Sequence, residues 1–522
     1  MVELANMLDY KISGGQVLDG AGAEPVPADV GIVGERIEAV GDLSGAPASA
    51  LINAPGCYVA PGFIDVHSHS DAYLLIEPSA PSKLYQGVTT EIVGNCGASA
   101  APLVDVSFLP ADWRDQVYPG PWRTVADYRV LLERARPAPN VMLLVGHGKL
   151  RSWVMGDQDR PATADECRAM VRLLEQSLDD GARGLSSGLI YPPGRFAAPE
   201  ELSDLAAATA RHGGIYTTHM RSEGSRLLEA IEETLALARG TGVRTQISHL
   251  KTSGHRNWSK LPAALELIRR ARAAGIDVAA DRYPYTASST DLDVILPAWA
   301  LVGGQAAVLR RLRDPAERER LRQVLAGARA ENDWATIVVG STGDVSWRGR
   351  PLLEVAQALD VEPGEAALRL MERDELKTSA FFFGMSAENL SKILAEPYVM
   401  LGSDASLRAL AGPLSLDFPH PRAYGAFARF LRAALDGKTV ALPEAVRKMT
   451  SLPADHFRLA QRGRVAPGNY ADLVVFNPAT VRERATFAKP HALAEGIEHV
   501  MVNGVLTLSP RGLTGHRSGR IL

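Results

Sequence analysis

Eight short apolar runs, separated by stretches of helical period, recur through the centre of the chain and constrain its fold more than any other feature. The runs fall at 62–67, 88–93, 141–145, 184–187, 214–219, 244–249, 277–281 and 398–403. Between them, 164–178 carries apolar residues spaced i, i+3, i+4, i+7 and i+11. A similar pattern returns at 199–212, 223–238 and 261–274. Because eight strands alternating with helices can close a parallel sheet on itself, the pattern predicts an α/β fold, a (β/α)8 TIM-like barrel.

A doubly wound open sheet is the structural alternative to the barrel. It favours a glycine-rich phosphate loop after the first strand, and the sequence has none there. The segment 297–347 breaks the alternation, because it contains a charged helix candidate and an extra strand candidate at 336–339. Inserts of this length are often lids or binding loops, and a peripheral insertion that packs outside the barrel is the equally weighted alternative.

Both ends of the chain have the pattern of short antiparallel strands rather than of barrel units. Strand candidates near the N terminus are 10–18 and a hairpin at 29–40. Near the C terminus, 472–476 is an apolar run, and 499–508 is divided by Asn503-Gly504, a strong hairpin signal. We therefore predict a small β-sandwich domain made of 1–60 and 462–522, a barrel at 61–461, and a lid-like insertion at about 297–347.

Charge and composition exclude several classes of protein. The 56 Lys and Arg residues against 60 Asp and Glu give a net charge of −4, so no basic excess predicts nucleic acid or a membrane surface as a partner. The first residues show no signal segment, and no stretch approaches the roughly 18 apolar residues of a membrane span. Three cysteines exclude a disulfide framework. We expect a soluble, cytoplasmic protein with a small-molecule substrate, and we leave its oligomeric state open.

Metal-competent side chains concentrate where the predicted barrel strands end. They are His67 and His69 after the first strand, Cys96 after the second, His219 and His249 closing the fifth and sixth, and Asp404 closing the eighth. Each one alone is more often a hydrogen-bonded core or loop residue. However, the active sites of such barrels are built from residues at the C-terminal ends of strands. Taken together, the six side chains therefore favour a metal site.

The donor types in this set indicate zinc. Zn²⁺ prefers imidazole nitrogen and thiolate sulfur in tetrahedral sites, and catalytic zinc keeps one position for water. Cys96, His219 and His249 supply three such ligands and leave that position open. Asp404 is then placed to act as the general base toward a metal-bound water nucleophile, and its proton can pass to a leaving amine.

Several motifs resemble those of one enzyme superfamily. The run GFIDVHSHSD resembles the signature of the amidohydrolase superfamily. The runs GVTTEIVGNCGAS, YTTHMRSEG, QISHLKTSG, DRYPYTASST and GRVAPGNYADLVVF are similar to its D-aminoacylase branch, the N-acyl-D-amino-acid deacylases. The matching runs lie in the barrel and in the closing β domain, so the resemblance covers nearly the whole chain.

This resemblance implies a role for each metal-competent residue. Members of the branch hold a tightly bound zinc through a cysteine and two histidines, which match Cys96, His219 and His249. The histidine pair of the first strand belongs to a second and weaker metal site, and Asp404 is the catalytic base. Many other amidohydrolases carry a bridging carboxylated lysine after the fourth strand, where this chain has GLSSGLIYPPG. In this branch the cysteine takes the bridging place.

The resemblance also implies a binding site for the α-carboxylate of the substrate. A tyrosine, a lysine and an arginine bind that group in similar proteins, and they match Tyr283, Lys251 and Arg422. An arginine fork, a lysine charge and a phenol hydroxyl all suit a carboxylate. Tyr191 and Ser289 are further candidates at the same mouth.

Two departures from the family pattern bear on the substrate. The loop from 404 to 422 is longer than in the shorter deacylases, so Arg408 and Arg429 stay open as alternatives to Arg422. Relatives that act on acidic D-amino acids carry a basic residue after RYPYTASST, whereas this chain continues with DLDVILP. We therefore expect no D-glutamate or D-aspartate substrate, and Asp291 and Asp293 favour neutral or basic side chains.

The predicted reaction is zinc-dependent hydrolysis of the amide bond of an N-acyl-D-amino acid, or of a dipeptide with a C-terminal D-residue. The products are a carboxylate and a free D-amino acid. One alternative is an amidohydrolase that opens cyclic amides or cleaves isoaspartyl dipeptides. The other is a non-catalytic barrel scaffold, although such relatives lose metal ligands and every candidate ligand is present here.

Overall fold

The centre of the chain forms a closed barrel of eight parallel strands. The computed structural model describes residues 7–156, 158–328 and 334–522. The barrel strands are, in order, Phe63–Asp65, Val88–Val93, Asn140–Leu143 continued by Val145–Gly146, Gly184–Gly188, Ile215–His219, Arg244–Ile247, Val278–Arg282 and Val399–Leu401. Neighbouring strands pair in parallel, and a parallel bridge between Ser68 and Ala405 joins the eighth strand to the first. The predicted barrel is confirmed, and each of the eight predicted runs overlaps one of its strands.

Amphipathic helices cover the outside of the barrel because each has one apolar face to bury. In Ala164–Asp179 the buried face includes Met170 and Leu174, and Thr163 caps the N terminus by accepting from the backbone N–H of Glu166. The other long helices are Val125–Ala135, Pro199–Arg211, Leu227–Thr241, Leu261–Ala273, Ala387–Ala395 and Arg422–Leu435. Shorter helices are Pro81–Leu84, Ala111–Arg114, His147–Met155, Leu442–Met449 and Ser451–His456. Within the described residues, no helix has the length and apolar character that crossing a bilayer requires.

Strands from both ends of the chain form two further sheets. A four-stranded sheet has the order Arg36–Gly41, Asp29–Val33, Leu8–Ser13, Ala48–Asn53. A seven-stranded sheet has the order Gly512–Leu513, Val505–Ser509, Ile497–Val502, Leu473–Phe476, Tyr58–Pro61, Gln16–Val17, Val26–Pro27. Apolar side chains of both sheets, such as Ile32 and Val475, share one buried cluster. We therefore propose the division into a sandwich of 1–60 with 462–522 and a barrel of 61–461; residues 1–6 lie outside the described residues.

An inserted layer lies between the seventh and eighth barrel strands. Its antiparallel sheet has the order Ser288–Asp291, Ser379–Phe382, Ile337–Val339. Its helices are Gly304–Arg313, Pro315–Ala328, Leu352–Ala358 and Pro363–Arg373, and they pack around their own buried core. The elements of this layer extend past 297–347, since the helices and strand of 352–382 also belong to it. In the sequence, 352–382 has the same helix-then-strand pattern as a barrel unit. Residues 329–333 of the layer lie outside the described residues.

Candidate metal centre and active site

Three metal-competent side chains meet at the C-terminal mouth of the barrel. Cys96 follows the second strand, His219 ends the fifth, and His249 lies two residues beyond the sixth. The Sγ atom of Cys96 is 3.8 Å from Nδ1 of His219 and 3.5 Å from Nε2 of His249. All three side chains are buried. The barrel thus gathers into one cluster three residues that are far apart in the sequence.

The backbone at this mouth adopts uncommon conformations. Cys96, His249 and Asp404 have positive φ angles of 53°, 36° and 51°. Residues other than glycine adopt this left-handed region infrequently, at a cost of order 1–3 kcal/mol each, and they stay there only where the surrounding structure holds them. Such residues cluster at active sites, so their coincidence at one mouth marks it as a functional region.

Two glycines allow the loop of Cys96 to pack against the end of the fourth strand. A Cβ on Gly188 would lie 2.1 Å from the carbonyl oxygen of Cys96, and a Cβ on Gly97 would lie 2.8 Å from the backbone nitrogen of Gly188. The carboxylate of Asp71 supports the same loop by accepting from the N–H of Gly94 at 3.0 Å. The loop that carries the thiol therefore covers the end of the fourth strand, where this chain has no lysine.

The spacing of the donor atoms fits a zinc ion. With Zn–N near 2.05 Å and Zn–S near 2.3 Å, a tetrahedral angle puts nitrogen and sulfur ligands about 3.6 Å apart. The observed Sγ–N distances of 3.5 and 3.8 Å lie on either side of that value. The ligand atoms of Cys96, His219 and His249 all lie within 4.8 Å of one another. Two imidazoles and a thiol form a donor set for zinc rather than for magnesium or calcium.

A second group of ligand atoms shares Cys96 with the first. It also contains His67, His69 and Asp404. Nε2 of His67 is 3.3 Å from Sγ of Cys96 and 3.3 Å from Oδ1 of Asp404, and Nε2 of His69 is 3.2 Å from the same oxygen. Nδ1 of His67 faces Oδ2 of Asp281 at 3.2 Å, so the Nδ1 proton is held there and the Nε2 lone pair faces the mouth.

Neighbouring charges control the ionisation of Cys96 and Asp404. Burial disfavours the thiolate, but His67 and His249 hold the pKa of Cys96 well below its ordinary value. Burial also disfavours the Asp404 carboxylate, yet the pKa of that group is held well below its usual range, mainly by Arg422. Nη1 of Arg422 is 2.7 Å from Oδ2 of Asp404. Asp404 is therefore anionic at neutral pH, the form that a base requires, and the thiolate form of Cys96 that a zinc ligand requires is favoured.

Lys251 and Arg422 line one wall of the mouth, and the buried ring of Tyr283 lies beside both of them. The guanidinium carbon of Arg422 is 4.6 Å from the ring centroid of Tyr283, and Nζ of Lys251 is 6.0 Å from it. The hydroxyl of Tyr283 is buried and finds no hydrogen-bond partner in the described part of the chain. Burial would raise the pKa of Tyr283, but the charges of Lys251, Arg282 and Arg422 lower it. An unpaired phenol donor among cations suits an anionic group of a ligand.

The two further substrate candidates lie beside this wall. The ring of Tyr191 meets that of His219 edge-on, with centroids 5.1 Å apart, and its hydroxyl is 3.4 Å from Oγ1 of Thr290. The carbonyl oxygen of Ser289 accepts from Nη2 of Arg422 at 3.4 Å. All the predicted substrate-binding residues are thus gathered on one side of the metal-competent cluster.

The two alternative arginines are engaged elsewhere. Arg408 donates from Nε to Asp417 at 2.7 Å. Arg429 donates to the carbonyl of Pro284 at 2.7 Å and does not line the mouth. Of the three arginines, Arg422 is the one in contact with the candidate base. The geometry therefore favours Arg422 as the arginine that meets a substrate.

A cavity of ≈ 2630 Å³ extends from the metal-competent cluster to the inserted layer. Asp291 and Asp293 line it, and neither carboxylate forms an ion pair with any described residue. Asp291 is exposed to solvent on the cavity side, and desolvation by the wall together with the charges of Asp293 and Asp112 raises its pKa above its ordinary value. Burial raises the pKa of Asp293 to about 6. One wall of the cavity therefore carries carboxyl groups without partners.

Two carboxylates that support the cluster were not among the sequence candidates. Glu223 lies 2.8 Å from Nδ1 of His249 and is paired with Lys251, and Asp281 faces the first-strand histidine as described above. Both lie inside quoted motifs, YTTHMRSEG and DRYPY. Two signals in the sequence could have identified these carboxylates. Glu223 lies four positions after the strand-closing His219, and Asp281 shares a strand face with Tyr283.

A parallel barrel with a thiolate, imidazoles and a buried carboxylate at its C-terminal mouth defines a metal-dependent hydrolase of the barrel type. The sequence profile of the Amidohydrolase family matches residues 50–508. The chain belongs to this family.

Individual relatives show which branch of the family the chain resembles. The chain is 40% identical to an N-acyl-D-glutamate deacylase of Alcaligenes xylosoxydans xylosoxydans, over 99% of this chain and 96% of that protein. It is 38% identical to a D-aminoacylase of the same organism, over 98% and 97% of the two chains. A crystal structure of N-acyl-D-glutamate deacylase from Bordetella bronchiseptica, with zinc and a phosphonate that mimics the tetrahedral intermediate, matches with a TM-score of 0.84 at 36% identity, covering 99% of this chain and 100% of that one. The resemblance to the D-aminoacylase branch is confirmed, and the match supports metal binding.

Proposed function

We propose that this enzyme hydrolyses the amide bond of N-acyl-D-amino acids, releasing a carboxylate and a free D-amino acid. One observation carries the proposal: the zinc-type trio Cys96, His219 and His249 lies beside a buried wall of Lys251 and Arg422 that suits a carboxylate. A hydrolase that uses both the metal site and the cationic wall acts on an amide bond close to a carboxylate, as in an N-acyl amino acid. The D configuration of the substrate is inferred from the relatives, which are an N-acyl-D-glutamate deacylase and a D-aminoacylase.

We propose one tight zinc site and a second, weaker one. Cys96, His219 and His249 would hold the first ion, since their spacing matches tetrahedral coordination. His67 and His69 would contribute to the second, with the thiolate of Cys96 shared between the two. The second group is the weaker candidate because Nε2 of each histidine also lies within 3.3 Å of the Asp404 carboxylate, which then has a competing role.

Asp404 would act as the base and then as the acid of the reaction. When bound, the zinc supplies Lewis acidity toward the substrate carbonyl and favours ionisation of water. Asp404 accepts a proton from the attacking water and returns it to the amide nitrogen as the C–N bond breaks. The contact with Arg422 keeps the carboxylate ionised before the reaction, so that it is ready to accept that proton.

The α-carboxylate of the substrate would bind to Tyr283, Lys251 and Arg422. The hydroxyl of Tyr283 is the buried donor without a partner, and Lys251 and Arg422 supply the positive charge. Tyr191 and Ser289 would border the same pocket. This anchoring fixes the scissile amide relative to Asp404, which is how positioning groups lower a barrier.

We further propose that the D-amino acid carries a neutral or basic side chain. The unpaired Asp291 and Asp293 would repel a D-glutamate or D-aspartate side chain from this wall of the cavity. The relatives do not decide the question, because identities of 40% to an N-acyl-D-glutamate deacylase and 38% to a D-aminoacylase are nearly equal.

We also propose a cytoplasmic location. Cys57, Cys96 and Cys167 are free thiols. A reducing compartment keeps Cys96 available as a metal ligand, whereas oxidation would remove the thiolate from the centre.

The proposal is tested by comparing N-acetyl-D-leucine with N-acetyl-L-leucine as substrates for the purified enzyme supplied with zinc. We expect release of the free amino acid from the D substrate and little from the L substrate. Dihydrouracil and hydantoin serve as controls for ring opening. An enzyme that opens these rings but leaves N-acetyl-D-leucine intact is a cyclic amidohydrolase, and the proposal is then wrong.

A further inference from the structure

Glu223 is a buried carboxylate that the proposed reaction does not use. It lies in the loop after the fifth barrel strand, and its side chain is 10% exposed. Its Oε1 is 2.8 Å from Nδ1 of His249 and is paired with Nζ of Lys251. Its Oε2 is 3.6 Å from Nε2 of His219. Glu223 therefore faces two candidate zinc ligands and one candidate substrate-binding residue at once.

The contacts of Glu223 lie on the outer nitrogens of both histidines. His249 presents Nε2 to the Sγ of Cys96, and His219 presents Nδ1 to it. A nitrogen that binds a metal needs a free lone pair, so the other nitrogen of each ring must carry the proton. A carboxylate is the strongest acceptor for such a proton, and Glu223 places one at 2.8 Å from Nδ1 of His249. The outer nitrogen of His219 has no hydrogen bond with any described residue, and at 3.6 Å Glu223 provides the nearby negative charge rather than a direct acceptor.

The charge of Lys251 gives Glu223 a second task. Nζ of Lys251 is 2.8 Å from Nδ1 of His249. Without Glu223 the ammonium would donate to that nitrogen, which favours the tautomer with its proton on Nε2, and would repel a cation bound by the ring. Lys251 donates to Glu223 and, at 3.1 Å, to the carbonyl of His249. The Glu223 carboxylate thus offsets the ammonium charge while leaving the lysine in reach of a substrate.

The loop that carries Glu223 is held firmly enough for this role. The backbone N–H of Ser253 donates to the carbonyl of Glu223 at 2.7 Å. Nζ of Lys260 donates to the carbonyl of Gly224 at 3.2 Å and to Oδ1 of Asn257 at 2.8 Å. The loops after the fifth and sixth strands are therefore fastened to each other beside the carboxylate.

We propose that Glu223 is a positioning residue that fixes His249 in its metal-binding tautomer and offsets the charge of Lys251 beside the metal. This inference rests on the zinc site of the proposed function. It adds that zinc affinity depends on a carboxylate that touches neither zinc nor substrate.

The first test replaces Glu223 by Gln, which keeps the size and removes the charge. Zinc affinity is measured by competition with a chromophoric chelator, and the tautomer of His249 by long-range ¹H–¹⁵N NMR. We expect zinc binding to weaken about 10–100-fold, the usual cost of losing such a partner. Glu229→Gln is the matched control, since Glu229 is exposed on the adjoining helix Leu227–Thr241. Its zinc affinity should equal that of the wild type.

The second test separates the two tasks by adding Lys251→Met to Glu223→Gln. Removing the ammonium should restore part of the lost zinc affinity, because the repulsion that Glu223 offsets is then gone. A double variant that binds zinc no better than Glu223→Gln overturns the charge-offset part. A Glu223→Gln enzyme with wild-type zinc affinity and an unchanged His249 tautomer overturns the whole inference. A wild-type enzyme that binds no zinc instead contradicts the proposed function itself.

Discussion

Two clusters of ionisable side chains lie at the C-terminal end of the first barrel strand, and their bonding differs in kind. In one of them, the buried Lys83 donates to Asp65 at 2.7 Å, to Ser403 at 3.1 Å and to the carbonyl of Ala405 at 3.0 Å, and it lies 3.2 Å from Glu91. Every donor of the lysine has an acceptor, and its positive charge lies between two negative ones. Apart from Oε1 of Glu91, which has no hydrogen bond with any described residue, the polar groups around Lys83 are satisfied within the protein.

The cluster around Cys96 has no such internal balance. Its sulfur has three imidazole nitrogens at 3.3 to 3.8 Å, so several metal-competent atoms converge on one point, and no lysine or arginine of the described residues lies among them. The outer nitrogen of His219 has no hydrogen bond with any described residue. A buried polar cluster that is not satisfied within the protein destabilises the fold unless a ligand completes it. The comparison indicates that the Lys83 cluster stabilises the fold and that the Cys96 cluster binds an ion.

The largest expected effect comes from replacing Cys96 by Ala. The change removes the ligand shared by both groups of donor atoms, so zinc should be lost on dialysis and turnover should fall roughly 10³-fold or more. Metal analysis and steady-state kinetics measure the two effects, and circular dichroism should show an unchanged fold. Full activity in this variant would contradict the metal assignment and remove the contrast between the clusters.

Asp404→Asn is the matched control for Cys96→Ala. It removes the base but neither the sulfur nor the two histidines of the tight site. Zinc should stay bound while turnover falls by about 10²–10⁴, the usual contribution of a general base. If both variants lose zinc equally, Asp404 acts as a ligand rather than as the base.

The sequence predicted the barrel well because its signal is repeated. Eight apolar runs with helical spacing between them specify eight strands, and the strand-end rule then places Cys96, His219 and His249 at one mouth. The extent of the inserted layer was not predicted, because 352–382 has the helix-then-strand pattern of a barrel unit. Local patterns cannot tell a strand of the barrel from a strand of an added sheet.

The supporting residues could not be predicted for a different reason. Lys83 lies in the four-residue helix Pro81–Leu84, and its partners Asp65 and Ser403 are distant in the chain. Glu223 lies in an irregular loop with no strand pattern to orient it. Their roles depend on which side chains meet after folding. For Glu223 the sequence offers only its position four residues after His219, and for Lys83 it offers no spacing at all.

The next prediction concerns the contribution of the Lys83 cluster to the free energy of unfolding. Lys83→Met leaves Asp65 and Glu91 as buried carboxylates without their cation, which should cost about 3–5 kcal/mol of unfolding free energy. Urea denaturation followed by circular dichroism measures the change. Lys392→Met is the matched control, because Lys392 forms an exposed pair with Glu388 and its loss should cost less than about 0.5 kcal/mol. Equal losses in the two variants would show that the Lys83 cluster does not stabilise the fold.

The smallest expected effect concerns the unpaired carboxyl groups of the cavity wall, which resemble the Cys96 cluster in lacking partners. A carboxyl with a raised pKa is neutral below that pKa and negative above it. Since the pKa of Asp293 is about 6, attraction of a cationic side chain should appear as pH rises through 6. The ratio of kcat/KM for N-acetyl-D-lysine to that for N-acetyl-D-leucine should therefore increase between pH 5 and about 7.

Replacing Asp293 by Asn tests whether this wall selects the side chain. The ratio at pH 7, where Asp293 is ionised, should fall several-fold, because one partly solvated charge pair is worth about 1 kcal/mol. Asp115→Asn is the control, since Asp115 lines the same cavity but is already paired with Lys377 at 2.6 Å. If Asp293→Asn and Asp115→Asn both leave the ratio and its pH dependence unchanged, Asp293 does not contact the side chain. Side chains without a partner inside the protein would then mark the metal centre, but not the part of the cavity that selects the substrate side chain.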